Sequence, residues 1–130
     1  PYRHYMADLA QCDLAIGTFP FGGSNTNVDL LLLGIPKIIL TEEKGLANYT
    51  DLLEIQTVGL EKLLNTSNEQ ALVGKLLHLI HNPKDREHIS DEILRRNPAA
   101  IFFGRENYEA ENHFVHGIQQ IDEQLETETE

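Results

Sequence analysis

The chain has 130 residues, of which 41% are hydrophobic and 24% charged, and these values are typical of one folded globular domain. No apolar run approaches the roughly 20 residues that a membrane helix needs, so no contact with a membrane is expected. Twenty-one acidic and ten basic residues give a net charge of −11, which argues against nucleic-acid binding. Cys12 is the only cysteine, so an internal disulfide is excluded and a reducing, cytoplasmic location is favoured.

The first forty residues alternate between helical and strand patterns. Helical spacing of apolar residues predicts a helix over residues 2–11. Residues 13–17 are predicted to form a short buried strand, with Cys12 in the core beside it. Ser24 or Asn25 is expected to cap a second helix, which Gly34 ends. A second buried strand follows over residues 35–40. Because one helix separates the two strands, they are expected to be parallel neighbours in a βαβ unit.

The remainder of the chain is predicted to be mostly helical. The predicted elements are a helix over 46–53, a turn or brief strand over 60–64, helices over 68–80, 84–96 and 105–125, a segment over 97–104 that is not helical throughout, and an acidic, disordered tail over 126–130. At most three short strands are available, whereas a complete doubly wound sheet has about five or six. Residues 1–125 are therefore interpreted as an incomplete, Rossmann-like α/β domain with a short parallel sheet. We expect it to expose apolar surface or to form a homo-oligomer through the incomplete sheet.

The loop between the first strand and the second helix is the segment that points to chemistry. It follows the carboxyl end of a strand, which is where open α/β sheets bind ligands. Gly22 and Gly23 permit close approach of the backbone, so their amide groups and those of the first helical turn can form an anion-binding nest for a diphosphate. Ser24, Asn25 and Thr26 add neutral hydrogen-bond donors. This part of the sequence predicts a phosphate site that suits an acidic protein.

Asp29 lies four residues beyond Asn25 and therefore on the same helix face, where a carboxylate can accept both hydroxyls of a ribose. The alternative is purely structural: a Gly-Gly turn, a polar cap and an acid in the first helical turn require no ligand. The local pattern is neither a P-loop nor a G-x-G-x-x-G motif, so it leaves both interpretations open.

Two pairs of histidines raise the question of a metal site. His78 and His81 are three residues apart, as are His113 and His116 on another predicted helix. Neither pair has the accompanying acidic residue of a metalloprotease motif, so we interpret the histidines as solvated or packed against helices and predict no metal.

Several short motifs lie at defined positions in the first two thirds of the chain. They are Pro1-Tyr2-Arg3-His4-Tyr5-Met6, Gln11-Cys12-Asp13-Leu14, Phe19-Pro20-Phe21-Gly22, Asp29, Gly34-Ile35-Pro36 and Gly59-Leu60-Glu61-Lys62-Leu63-Leu64. Together they resemble the family 41 glycosyltransferases. The resemblance is strongest to the bacterial cytoplasmic protein N-glucosyltransferases that modify adhesins, with the O-GlcNAc transferases as more distant relatives, and it fades beyond about Ile89.

This resemblance implies a two-domain GT-B enzyme that transfers a hexose, glucose in the nearest group, from a UDP-sugar to a protein with inversion and without a metal or other cofactor. The chain then corresponds to the carboxyl-terminal, donor-binding domain, and its partner is an amino-terminal domain of the same protein. By the same resemblance Asp29 is the ribose-binding aspartate, Ser24, Asn25 and Thr26 contact the diphosphate, and Tyr5 lies near the uracil.

The chain also departs from the family pattern. Gly23 stands where the bacterial enzymes have the first Asn of Asn-Thr-Asn-Gly, and neither Lys37 nor Lys44 matches the family's phosphate-binding lysine. No acceptor-activating base is identified, so the chain alone is expected to be inactive as a transferase. Asp51, outside the matched motifs, is expected to matter little for UDP binding. A degenerate, non-catalytic module that serves protein–protein contacts is the alternative function.

Overall fold

Three short strands form the sheet at the centre of the fold in this computed structural model, which describes residues 1–42 and 45–104. The strands are β1 (Ala15–Ile16), β2 (Lys37–Leu40) and β3 (Asn65–Thr66). The helices are α1 (Tyr2–Leu9), α2 (Asn25–Leu33), α3 (Tyr49–Thr57), α4 (Glu61–Leu64), α5 (Glu69–His81), α6 (Pro83–Arg95) and α7 (Pro98–Phe103).

The sheet has the order β1-β2-β3, with both pairs parallel. Ala15 is in register with Lys37 on one side of β2, and Ile39 is in register with Asn65 on the other side. The predicted parallel βαβ unit is therefore confirmed, as is the α/β class with a short parallel sheet.

The core lies around β2. Ile38 and Ile39 are both fully buried. Because consecutive strand residues point to opposite faces of a sheet, their burial shows that β2 is covered on both faces. Five helices each contribute a fully or almost fully buried apolar side chain: Leu31, Ile55, Leu64, Leu79 and Ile93.

The first strand departs from its predicted burial. The Ile16 side chain is 61% exposed, and among the described residues β1 pairs with a strand on one side only. Cys12, predicted to be core, is an exposed free thiol, and α1 buries none of its residues. The prediction failed here because a short apolar segment is buried only when neighbouring elements cover it, and local sequence does not contain those neighbours.

The two ends of helix α2 are fixed by different interactions. Gly34 caps its carboxyl end with φ of +70°, as predicted, and a Cβ there would lie 2.7 Å from Leu94 Cγ. Ser24 is the amino-terminal cap residue, but its side chain makes no capping hydrogen bond to the helix. The hydroxyl is turned toward Glu54 of α3 instead, at 3.4 Å.

The third helix begins three residues later than predicted, at Tyr49 rather than Leu46. Asn48 precedes it with φ of +55°, while its amide donates to Pro20 O and its side chain donates to Leu40 O. These bonds hold the chain out of helical geometry until Tyr49. Leu46 lies before the helix and is 83% exposed.

The segment predicted as a turn or brief strand over 60–64 is helix α4, and β3 follows it. Leu60 and Leu64, four residues apart, are both buried, which is the spacing of one helical face. The strand itself is polar: the Thr66 hydroxyl donates to Ile39 O at 2.7 Å, and the Thr41 hydroxyl donates to Asn65 Oδ1 at 2.9 Å. A two-residue polar strand carries no hydrophobic pattern from which to predict it.

The later helices follow the sequence more closely. Asn68 caps α5 by accepting a hydrogen bond from Ala71 N at 2.8 Å, and Pro83 begins α6, so both predicted helices are confirmed. Asn97, with φ of +52°, separates α6 from α7. No helix in the described ranges is both long and apolar enough to cross a membrane.

The chain divides into two compact units, residues 1–98 and 99–130. In the second unit the structure describes the end of α7, where Gly104 N donates to Ala100 O at 2.9 Å. The predicted helix over 105–125, the predicted tail over 126–130 and the histidines at 113 and 116 lie outside the described residues.

Candidate functional site

The loop from the carboxyl end of β1 to the start of α2 brings together most of the residues predicted to bind a donor. Gly22 and Gly23 lie in the loop, Ser24 is the cap of α2, and Asn25 and Thr26 form the first helical turn. Asp29 is one turn further along the same helix, and Tyr5 lies on α1. The loop follows the carboxyl end of β1, as the order of the elements predicted, and its binding role stays a prediction.

The amide groups of Gly23 and Ser24 are already hydrogen-bonded within the chain. Gly23 N donates to Asp51 Oδ2 at 3.2 Å, and Ser24 N donates to Asp51 Oδ1 at 2.8 Å. Asp51 belongs to α3 and is fully buried. These two amides therefore form an anion site that the chain fills with its own carboxylate, so they are not the open nest that the sequence suggested.

A buried ion pair lies beneath the two glycines. Lys37 Nζ is 2.6 Å from Asp51 Oδ2, and the two side chains are only 6% and 0% exposed. A Cβ on Gly22 would lie 2.5 Å from Asp51 Cγ, and one on Gly23 would lie 3.1 Å from Lys37 Nζ. The Gly-Gly sequence is thus explained by close packing of the loop onto the ion pair.

A second carboxylate of α3 contacts the start of α2. Asn27 Nδ2 donates to Glu54 Oε2 at 2.6 Å, and Ser24 Oγ lies 3.4 Å from Glu54 Oε1. Burial raises the pKa of Glu54 above its ordinary value, and the nearby charge of Asp51 raises it further, while the hydrogen bonds from Asn27 and Ser24 oppose this. Asp51 and Glu54 are three residues apart, so the same face of α3 holds both the loop and the first turn of α2.

One exposed amide group in the first turn of α2, that of Asn25, remains available. The amides of Thr26 and Val28 donate to carbonyl groups just before the helix, at 3.0 and 3.1 Å. The amides of Asn25 and Asn27 have no acceptor among the described residues. Asn27 is fully buried, so its amide is closed to a ligand, and its side-chain Oδ1 also lacks a partner there. The start of α2 can therefore still donate a hydrogen bond from Asn25 to an anion.

The carboxylate of Asp29 is oriented by α1. The Tyr2 hydroxyl donates to Asp29 Oδ1 at 2.7 Å, and this hydrogen bond is the main cause of the raised pKa of Tyr2. The ring of Tyr2 lies beside that of Tyr5, with centroids 6.0 Å apart and an interplanar angle of 35°. Tyr5 is thereby connected to Asp29 through Tyr2, while its predicted position near a uracil stays a prediction.

Sequence reasoning missed Asp51, Lys37 and Glu54. One signal was present: a lysine at the start of an apolar strand must find a buried partner, because an isolated charge is too costly to bury. The sequence does not say which of the 21 acidic residues supplies that partner.

The first histidine pair is not assembled into a metal centre. His78 Nε2 lies 2.5 Å from Asp85 Oδ2, and each side chain is 56% exposed. In residues 1–42 and 45–104 no group of three or more potential ligands is placed to hold a metal ion.

Comparisons with known proteins place this geometry in context. No family model matches the chain. It is 26% identical over 103 residues to the UDP-glucose:protein N-beta-glucosyltransferase of Actinobacillus pleuropneumoniae, in both serotype 5b (strain L20) and serotype 7 (strain AP76). The chain is distantly related to glycosyltransferases. The match covers 79% of the chain but only 16% of the length of these relatives.

Proposed function

We propose that the chain is the UDP-sugar-binding part of a family 41, GT-B glycosyltransferase of the cytoplasm. The parent enzyme transfers a hexose, glucose by analogy with the name of its relatives, to a protein acceptor with inversion and without a metal. The relatives are named for a UDP-glucose donor and a protein acceptor, and this supports the same classes of donor and acceptor here.

The observation that carries the proposal is the composition of the first turns of α2. The amide of Asn25, which is exposed and has no acceptor in the described structure, precedes the Asp29 carboxylate on one helix. Amides at a helix amino end favour a phosphate, and a carboxylate favours the hydroxyls of a ribose. A nucleoside diphosphate carries phosphates next to a ribose, so it can contact the start of the helix and Asp29 together.

Different residues of the site then bind different parts of the UDP-sugar donor. The amide of Asn25 and the Thr26 hydroxyl bind the diphosphate, with Ser24 and the two glycines shaping the loop beside it. Asp29 binds the ribose and Tyr5 covers the uracil. Donors aimed at the diphosphate stabilise the negative charge that develops on the leaving UDP as the acceptor attacks the anomeric carbon. No described residue is assigned as the acceptor's base, so the chain alone is expected to transfer no sugar.

Calorimetric titration of UDP into the chain tests the proposal. UDP is expected to bind, and UMP to bind more weakly because it lacks the β-phosphate. Asp85→Asn, an exposed change on α6, is the matched control and should bind UDP as the unmodified chain does. Absence of UDP binding to the folded chain would contradict the proposal.

The occupied amides of Gly23 and Ser24 favour a second candidate function. Since Asp51 already takes the hydrogen bonds that a phosphate would accept, the domain can be a degenerate module that contacts proteins through its acidic surface. This candidate predicts no UDP binding, so the same titration distinguishes the two.

A further inference from the structure

Asp51 connects three parts of the fold. Its carboxylate accepts hydrogen bonds from Lys37 Nζ on β2 and from the amides of Gly23 and Ser24 in the donor loop, while Asp51 itself belongs to α3. It is fully buried, and three donors satisfy it. An anion that took its place would leave Asp51 itself as an unpaired buried charge, so an incoming anion does not displace it.

The bonds to Asp51 also decide which amides of the loop face inward. The amides of Gly23 and Ser24 point at the buried carboxylate, whereas that of Asn25, the next residue, is exposed and has no acceptor in the described structure. Ser24 has φ of +40°, a conformation that serine seldom adopts. The hydrogen bond from its amide to Asp51 is shorter than the one from Gly23. The carboxylate thus holds the residue at which the chain enters α2.

We propose that Asp51 is a positioning residue for the donor: it fixes the loop so that the exposed amide of Asn25 remains free for the phosphates of a nucleoside diphosphate. This inference rests on the proposed function. It reverses the expectation that Asp51 matters little for UDP binding, because its effect is transmitted through the backbone of the loop rather than by contact with the ligand.

The test compares UDP with UMP, which differ only in the β-phosphate. The amides of Gly23 and Ser24 donate to two different oxygens of Asp51, and Asp51→Asn replaces one of these with an NH2 group, so one amide loses its acceptor. We expect the Kd for UDP to rise roughly tenfold and that for UMP to rise less, so that the ratio of the two falls. A role confined to global stability would not change this ratio, provided that both titrations are made well below the melting temperature.

A second variant guards against misfolding of Asp51→Asn. The double variant Lys37→Met, Asp51→Asn removes both buried charges and should recover most of the stability, since a neutral pair leaves no unpaired charge. It should keep the lowered UMP-to-UDP ratio, because the amides still lack their carboxylate. Asp85→Asn controls for the loss of one carboxylate elsewhere.

The outcomes distinguish a failure of the positioning role of Asp51 from a failure of the proposed UDP-binding function. If the unmodified chain binds UDP and both Asp51 variants keep its UMP-to-UDP ratio, the positioning role is wrong and the proposed function stands. If the folded, unmodified chain binds no UDP, both are wrong. A lowered ratio in the double variant, with a melting temperature close to that of the unmodified chain, supports the inference.

Discussion

The hydroxyl of Tyr2 donates a 2.7 Å hydrogen bond to Oδ1 of Asp29 and so joins the first residue of α1 to the second turn of α2. The bond fixes one carboxylate oxygen and leaves Oδ2 without a partner in the described part of the chain. A carboxylate held in this way loses less conformational freedom when it binds a ribose. The proposed role of Asp29 requires such an oriented carboxylate with one oxygen still able to accept hydrogen bonds.

Asp29→Ala is expected to weaken UDP binding. Loss of charge-assisted hydrogen bonds to the ribose hydroxyls should cost about 1.5–3 kcal/mol, on the order of a ten- to hundredfold rise in Kd. Tyr2→Phe removes only the bond that orients the carboxylate, so its effect should have the same sign and be smaller. Calorimetry with UDP measures both.

Asp85→Ala is the proper control for this series, because Asp51, although on another helix, contacts the loop. A measurement of unfolding must accompany each variant, since removing an acid near a helix start can itself cost up to about 1 kcal/mol. Equal UDP affinity for Asp29→Ala and the unmodified chain would remove the ribose role.

The buried pair of Lys37 and Asp51 should show strong coupling in unfolding experiments. Lys37→Met or Asp51→Asn alone leaves a disrupted buried pair, and loss of one partner of such a pair typically costs about 3–5 kcal/mol. The double variant should lose much less than the sum of the two. Denaturant unfolding of all four proteins gives the coupling free energy, and simple additivity would show that the pair does not interact.

Glu54→Gln should change how stability depends on pH. The pKa of Glu54 in the folded chain is raised from its ordinary value of 4.5, so the folded state binds the proton more tightly than the unfolded state does. Ionisation of Glu54 therefore lowers stability as pH rises from about 4.5 through the raised pKa, and this loss is complete above it. Glutamine cannot ionise, so the variant should gain stability relative to the unmodified chain as pH rises through this window.

Urea midpoints at pH 4 and pH 7 measure that difference. Glu87→Gln, an exposed change on α6, corrects for the loss of one negative charge. A larger relative stability of Glu54→Gln at pH 4 than at pH 7 would contradict the direction of the shift.

Two glycines offer a matched test of backbone conformation. Gly34 has φ of +70° and would place a Cβ against Leu94, so Gly34→Ala should be destabilising by more than about 1 kcal/mol. Gly74 lies inside α5 with nothing within 4 Å of its Cβ position, so Gly74→Ala should be stabilising by roughly 0.5–1 kcal/mol. Thermal unfolding gives both signs, and a destabilised Gly74→Ala would mean that this helix face is covered by something outside the described residues.

The exposed Ile16 on β1 predicts self-association. This strand has no second neighbour among the described residues, and an apolar open edge recruits other chains. Light scattering should give a mass above that of the monomer, and Ile16→Lys should lower it because lysine on an edge opposes pairing. A clean monomer that binds no apolar dye would show that the edge is covered.

Local patterns in the sequence determined those features whose causes lie within a few residues. Gly34 ends α2 because glycine tolerates a positive φ, Asn68 begins α5 because its side chain reaches an amide three residues on, and apolar spacing sets α5 and α6. The parallel βαβ unit followed from two apolar segments on either side of one helix. The position of the candidate site at the carboxyl edge of the sheet followed from the order of these elements.

Tertiary structure alone decided the interior of the site. Lys37 and Asp51 are 14 residues apart, and Gly23 and Asp51 are 28 apart, so the bonds that arrange the loop exist only once α3 packs beside α2. The exposure of Ile16 and Cys12 likewise depends on what covers β1, and the polar strand β3 exists because Thr66 and Asn65 find partners on β2 and after it. A sequence specifies which groups are charged or polar, but their partners are set by long-range packing, because an uncompensated buried charge would unfold the domain.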